Sequence, residues 1–378
     1  MRKLPKAAPP SSTAVSFSAL GQTARITPPA RPVSFRAIPD KGEVLVRIAA
    51  NGKRKFVLPN SLAVPKGLST ELDQMTDVVW YPRPPTPNPP AVPWIVNHCA
   101  DADEYRSGLI WLDETFGATV PIFNHPRALA RSRRDHSAAA LQGIAGLRVP
   151  RCVRLQAKSR VAFEQCFREN GFQFPVLVRP SGGQTGRGLV KIEGPNDWDR
   201  AVNTPWFGKP HFMTEFVDFA TEDGLYLKAR ILFVADRFFI RHVKGATGWK
   251  IHNDSSNSIL DFKERELELI DVLNRNAEFT RICAEVPART GLDFCGMDMG
   301  VDPARNRFVM FECNAAMSVF FKTAGVVDPE RQTRSDLLET PAATAFETHL
   351  RNREAWVWRD FALSPDSAGL SCRALLSD

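Results

Sequence analysis

Phe308-Val309-Met310-Phe311-Glu312-Cys313-Asn314 reads as a strand that starts apolar and ends in two polar side chains. Strand side chains alternate, so Glu312 and Asn314 share a face while Cys313 points the other way and packs. Upstream, Phe294 to Val301 is a second apolar strand with a carboxylate, Asp298, inside it. The short connection Asp302-Pro303-Ala304-Arg305-Asn306 predicts an antiparallel hairpin that brings Asp298 near Glu312. Two carboxylates and an amide oxygen on one surface form a hard-oxygen set suited to Mg²⁺. Without a cation, two close carboxylates repel and one has to take a proton. A half-buried hairpin with outward polar residues is the plainer reading, which an Asp inside an apolar strand fits poorly.

A second feature lies upstream. Phe174-Pro175-Val176-Leu177-Val178-Arg179 reads as a strand, Leu189 to Ile192 as another, and Gly182-Gly183-Gln184-Thr185-Gly186-Arg187-Gly188 joins them. Glycines let backbone amides approach phosphate oxygens with no Cβ in the way. Arg179, at the end of the entering strand, would face such phosphates. The turn lacks the Gly-Lys-Ser/Thr ending of a Walker loop, and no helix follows directly, so it is neither that loop nor a dinucleotide fingerprint. By itself it reads equally well as a flexible hairpin turn.

The 378 residues suit two or three domains, and 43% hydrophobic residues suffice for real cores. Net charge is +7, spread along the chain; no basic stripe with interleaved aromatics argues for nucleic acid. Seven widely spaced cysteines without a CxxC pair point away from a disulfide framework or zinc site, toward a reducing, cytoplasmic setting. No apolar run reaches the length of a membrane span.

Six segments follow. Residues 1–40 are basic, free of acids before Asp40 and rich in Pro, Ser, Thr and Ala, which predicts a disordered tail. Residues 41–90 hold a hairpin signal around Asn51-Gly52, then a proline-dense linker. Residues 91–150 read as strand, helix (Ala102 to Phe116), strand, helix (Ala128 to Leu141), which argues a parallel α/β domain. Residues 151–210 and 211–330 form two further lobes, with a long helix at Glu264 to Val286. Residues 331–378 form a helical tail.

In this order the pieces resemble the ATP-grasp superfamily, especially its glutathione-synthetase-like and RimK-like carboxylate–amine ligases. The resemblance covers about residues 94 to 325. It rests on Pro175 to Gly183 (strand, cation, glycine turn), on Thr214-Glu215-Phe216-Val217 between the lobes, on Arg230 in Lys228-Ala229-Arg230-Ile231-Leu232, and on the closing Asp298, Glu312 and Asn314. It implies an ATP-grasp fold behind a parallel α/β domain. It also implies ATP held by Arg179, by Gly182, Gly183, Thr185, Gly186 and Gly188, and by the backbone of Glu215, Phe216 and Val217. Arg154 would supply a second phosphate contact. Asp298, Glu312 and Asn314 would hold one or two Mg²⁺, with Mn²⁺ as a substitute. Arg230 and Lys250 would face the transferred phosphate. Arg179 stands where relatives carry lysine, a planar fork in place of a point charge. Lys228 stands where they carry an acid, which leaves the ribose contact without its usual partner.

The implied reaction activates a carboxylate as an acyl phosphate for attack by an amine. Partners would be small-molecule or peptide carboxylates and amines, with neither nucleic acid nor membrane, and a homodimer is compatible. A small-molecule kinase and a non-catalytic nucleotide-binding module are the rival readings. His242 and His252, flanking Lys244 and Lys250, read as contacts to substrate carboxylates, as acid/base groups or as structural residues.

Overall fold

The computed structural model describes residues 30–48, 52–82, 92–156, 158–183, 186–251, 263–317, 319–320, 329–358, 360 and 371–377. The segment Arg31–Asp378 is one compact unit.

A parallel sheet comes first, in the order β4 (Asp77–Tyr81), β1 (Val33–Ala37), β5 (Ile95–Asn97), β6 (Ile122–Phe123). Strand β1 lies inside the span expected to be a disordered tail, and pairs with β4 on one side and β5 on the other. Prolines at 32 and 39 bracket a run too short to show a period. It is buried on both faces, as parallel strands are. The expected boundary at residue 91 also disappears, because α1 (Lys66–Met75) and β4 build the same layer. Helix α2 (Arg106–Phe116) covers the sheet with Leu109, Leu112 and Phe116, at helical spacing. It approaches so closely that a Cβ on Gly108 would stand 2.6 Å from that of Ala37. The hairpin β2 (Leu45–Ile48) and β3 (Arg54–Val57) forms as expected, as a separate two-stranded sheet with β2 exposed. Its turn residue Asn51 lies outside the described residues.

The expected helix over 128–141 is two: α3 (Pro126–Arg131) and α4 (Arg134–Leu141). The break at Ser132 and Arg133 puts Arg134 at a helix start.

The next sheet is antiparallel, in the order β10 (Val190–Ile192), β9 (Val176–Pro180), β11 (Pro210–Glu215), β8 (Cys152–Gln156). Helices α5 (Arg160–Glu169) and α6 (Asp199–Val202) cover it around Phe163, Val176, Val178, Trp198 and Met213. Strand β11 was expected in the following lobe; it is an inner strand here, since chain order says nothing about which neighbour a strand pairs with.

The third sheet runs β13 (Arg237–Ala246), β12 (Tyr226–Val234), β14 (Phe294–Asp302), β15 (Arg307–Asn314), β7 (Leu147–Arg148), with only β7 parallel to its neighbour. The helix expected over 264–286 is α7 (Lys263–Arg275) and α8 (Ala277–Thr290). Between them Asn276 caps α8, its side-chain oxygen accepting from the Phe279 amide at 2.9 Å. The C-terminal segment is helical as expected, in α9 (Pro329–Arg351) and α10 (Cys372–Leu375). It is no loose tail: the Cys372 amide donates to Asp113 at 2.9 Å. Buried Asp293 accepts from the Asn124 amide (2.7 Å), His349 (2.9 Å) and the Val357 amide (3.0 Å), fastening the parallel sheet and α9 to β14. Among the described residues no helix is long and apolar enough to cross a membrane.

Candidate functional site

Two antiparallel sheets flank one cleft, as the resemblance implied for its two lobes. The cleft encloses about 880 Å³, open solvent at its mouth included.

Its floor is a row of side chains across the third sheet. The register places His242 opposite Arg230, Arg230 opposite Asp298, and Asp298 opposite Glu312. Irregularities follow Arg230 on β12 and Asp298 on β14, next to this row. Bulges often re-aim side chains beside functional sites. The predicted approach of Asp298 and Glu312 is therefore seen directly. Asn314 is paired two positions along, with Gly296.

Each carboxylate has its own cations. Asp298 accepts from Arg230 Nε at 2.7 Å and Nη2 at 2.9 Å, and from Lys228 Nζ at 3.2 Å. Burial alone would raise its pKa, but the Arg230 hydrogen bond and the Lys228 and Arg230 charges hold it well below the carboxylate range. Glu312 accepts from Arg134, whose other nitrogen donates to Phe311 O at 2.7 Å. Arg179 stands 3.9 Å from the same carboxylate oxygen. Burial opposes ionisation of Glu312 too, and Arg134 and Arg179 overcome it, so its pKa is lowered. The sequence argument that one carboxylate must take a proton is thus corrected: each has guanidinium neighbours.

Asn314 Oδ1 differs from both. It is buried and has no hydrogen-bond partner among the described residues. A buried acceptor left unsatisfied costs about 1–3 kcal/mol. With ionised Glu312 two residues away, this is the donor chemistry a hard cation takes. Asp298 fits less well, since its oxygens are already bonded by Arg230 and Lys228. No cluster of three His, Cys, Asp or Glu side chains occurs among the described residues, so the amide oxygen is needed for the set.

The other end of the cleft is aromatic. Phe216 meets Trp249 edge-on at 5.7 Å, and Lys191 Nζ lies 4.0 Å from the Phe216 ring centre. The amides of Glu215 and Phe216 donate to Arg151 O and Pro175 O, so neither of these two expected readers has its amide open to a base edge. The Glu215 carboxylate turns away to Arg148.

Arg179, Gly186, Glu215, Phe216, Val217, Lys250, Asp298 and Glu312 line this cleft together. Lys250 Nζ reaches across to Leu189 O at 3.4 Å. Burial, then Arg134, push Arg179 down to about 10, and the pKa of Lys250 is lowered by burial and by Arg179. The turn glycines Gly182, Gly186 and Gly188 have φ of +67°, +68° and +72°, a region that disfavours side chains. Thr185 and His252 lie outside the described residues.

Two expected contacts are placed elsewhere. Arg230 lies beneath the cleft, committed to Asp298 rather than lining the space. Arg154 is not among the cleft's lining residues; it pairs with Asp103 and lies 5.7 Å over Phe212, two residues that line the adjoining smaller cavity. Cys313 packs behind the strand, 4.0 Å from Cys295 Sγ. His242, expected as a substrate contact, an acid/base group or a structural residue, is held neutral: burial, then Arg230 and Lys244, lower its pKa well below the usual range. Arg134 and Trp249 were missed. Arg131-Ser132-Arg133-Arg134 is a visible basic run, but nothing in it says which arginine meets Glu312.

A smaller cavity of about 490 Å³ adjoins the cleft. It shares Arg134, Arg179 and Glu312 with it and adds Gly182, Gly183, Asn314, Arg133, Asp101 and Asp103.

No protein-family profile matches this sequence, and no curated protein matches it. Solved structures do. D-alanine–D-alanine ligase from Bacillus anthracis is 12% identical, with 86% of this chain and 98% of that one covered at a TM-score of 0.45. VanG D-Ala:D-Ser ligase from Enterococcus faecalis is 15% identical, over 67% of this chain and 73% of that one, at 0.41. The ATP-grasp ligase PsnB, solved with a precursor peptide and AMPPNP, is 18% identical, over 68% and 77%, at 0.37. At these scores the chemistry has to be read from the cleft's own side chains.

Proposed function

We propose that this chain is an ATP- and magnesium-dependent ligase that activates a carboxylate as an acyl phosphate and joins it to an amine. One observation carries the reading: Asn314 Oδ1, without a partner among the described residues, lines the second cavity beside ionised Glu312, which borders both that cavity and the aromatic-ended, cation-lined cleft. A base would lie among Phe216, Val217 and Trp249. Its phosphates would lie along Arg179, Arg134, Lys250 and the glycine turn.

Magnesium would be held by Glu312 and Asn314, with Asp298 behind them, and supplies neutralisation of the charge on the transferring phosphoryl group. The chain's own residues do the rest. Arg134 and Arg179 hold the γ-phosphoryl at the shared wall, facing a carboxylate in the second cavity. The carboxylate oxygen attacks phosphorus and ADP leaves. The amine then attacks the acyl carbon, and phosphate departs with the bonding pair and the amine's spare proton. The lobes align the reactants and exclude water, which would otherwise hydrolyse the acyl phosphate.

The test is ADP release from Mg-ATP, screened against pools of small carboxylic acids, amino acids and amines. Release that needs both a carboxylate and an amine, and is abolished in Glu312→Ala, supports the ligase. A phosphorylated product formed without an amine would favour a kinase. No binding of Mg-ATP at millimolar concentration sinks the reading.

A further inference from the structure

The smaller cavity differs in chemistry from the cleft. Its wall toward the cleft carries guanidiniums, Arg134 and Arg179, with Arg133 beside them. The loop after β5 contributes Ala100 to Asp103 and carries carboxylates. Asp101 Oδ1 accepts the amides of Asp103 and Glu104 at 2.9 and 3.0 Å, and Oδ2 accepts Asn60 Nδ2 at 3.2 Å. A carboxylate offers about four acceptor positions, so Asp101 retains capacity for a further donor. Asp103 is paired with Arg154, and Glu104 with Lys41 at 3.3 Å.

We propose that this cavity takes the amine substrate as an ammonium, with Asp101 and Asp103 reading it; one of its protons passes to the Asp101 carboxylate, which frees the nitrogen's lone pair for attack at the wall of Arg134, Arg179 and Glu312. This rests on the ligase reading above and adds to it the charge of the second substrate and the residues that select it. An ammonium meets carboxylates on one side, and an acyl phosphate meets guanidiniums on the other. The reverse placement sets like charge against like. Burial, then Asp103, push Asp101 up to about 6, so selection for a cation weakens just below neutral pH. The groups around Asp101 are Asp103, Glu104 and Tyr105 of its own loop, Asn60 before α1, and Arg179 of β9. Arg154 and Lys41 act on it through Asp103 and Glu104.

The experiment uses the full chain saturated with Mg-AMPPNP, with thermal shift and calorimetry as readouts. The probes are ethanolamine, glycinamide, 1,4-diaminobutane and lysine amide, each against its N-acetylated form. At least one free amine should add a shift that its acetylated form does not. Asp101→Asn and Asp103→Asn should each weaken that amine by about tenfold or more, the cost of losing a charged hydrogen bond. Asparagine at 101 keeps an oxygen for the two loop amides, and asparagine at 103 keeps one for Arg154, so both variants should fold and keep the AMPPNP shift. In the wild type, amine affinity should fall from pH 7 to about pH 5. An AMPPNP shift with no amine shift, or an amine shift that survives both substitutions, overturns this inference alone. Failure of AMPPNP to bind the wild type overturns the ligase reading and this inference with it.

Discussion

Asp298 and Glu312 stand directly opposite one another on β14 and β15, and each is held ionised by different cations. Asp298 is locked by a two-pronged arginine from β12. Glu312 is shared by Arg134 and Arg179, which come from a helix start and from another sheet. The first is a fixture of one sheet, and the second is a joint between elements.

Removing Arg230 should therefore cost stability before it costs chemistry. Arg230→Ala leaves buried Asp298 with Lys228 alone, and breaking a buried pair of this kind costs about 3 kcal/mol or more. Urea denaturation measures it. A loss within experimental error of zero would show that the pair is not buried in solution.

Asn314 should behave in the opposite way. Asn314→Ala removes a buried acceptor that has no partner among the described residues, so the metal-free protein should lose no stability and gain up to about 1 kcal/mol. The magnesium concentration needed for nucleotide-dependent stabilisation should rise about tenfold. Destabilisation with unchanged magnesium dependence would reassign Asn314 to packing.

Trp249 flanks Phe216 in the aromatic end of the cleft. Trp249→Ala should weaken nucleotide binding by about tenfold, as the loss of an aromatic contact does. Its magnesium dependence should stay unchanged, because Glu312 and Asn314 are untouched. Titration of both proteins with AMPPNP, with and without magnesium, separates the two effects.

Acid should destabilise the fold from about pH 6.5 downward. Burial lowers His98 to about 3 and His125 to about 4, and His242 lies well below its usual value. The unfolded chain then binds protons first. Stability is complete above the unfolded value and falls by about 1.4 kcal/mol per pH unit for each such histidine. Asp101, raised to about 6, works in the opposite sense and offsets about one of them. Asp298 and Glu312 are depressed, so their contribution is intact above about pH 4 and is lost only below it. Urea midpoints at pH 7, 6 and 5 should fall steadily, and less steeply in His242→Gln. A flat profile in the wild type would mean that these histidines are hydrated.

The acidic end of the cleft was legible because it is local. Two strands, a five-residue turn and period-two alternation suffice to put Glu312 opposite Asp298, with Asn314 on their face. The glycine turn was legible for the same reason. Strand β1 was hidden, because five residues between prolines carry no pattern until β4 and β5 bury them on both sides.

What the sequence by itself determined is which chemical groups share a face, since alternation along a strand is a property of the backbone alone. Tertiary structure alone decided which charge answers which. Arg134 reaches Glu312 across 178 positions of chain, Arg154 leaves the cleft for Asp103, and Arg230 closes on Asp298 rather than on the open space. Ion pairs form between whichever groups packing brings within a few ångströms. That is fixed by the apolar cores that position the sheets, and it leaves no mark in the local sequence around any one arginine. The pair that opened the reading, Glu312 and Asn314, belongs to the first kind of knowledge, and the arginines around it belong to the second.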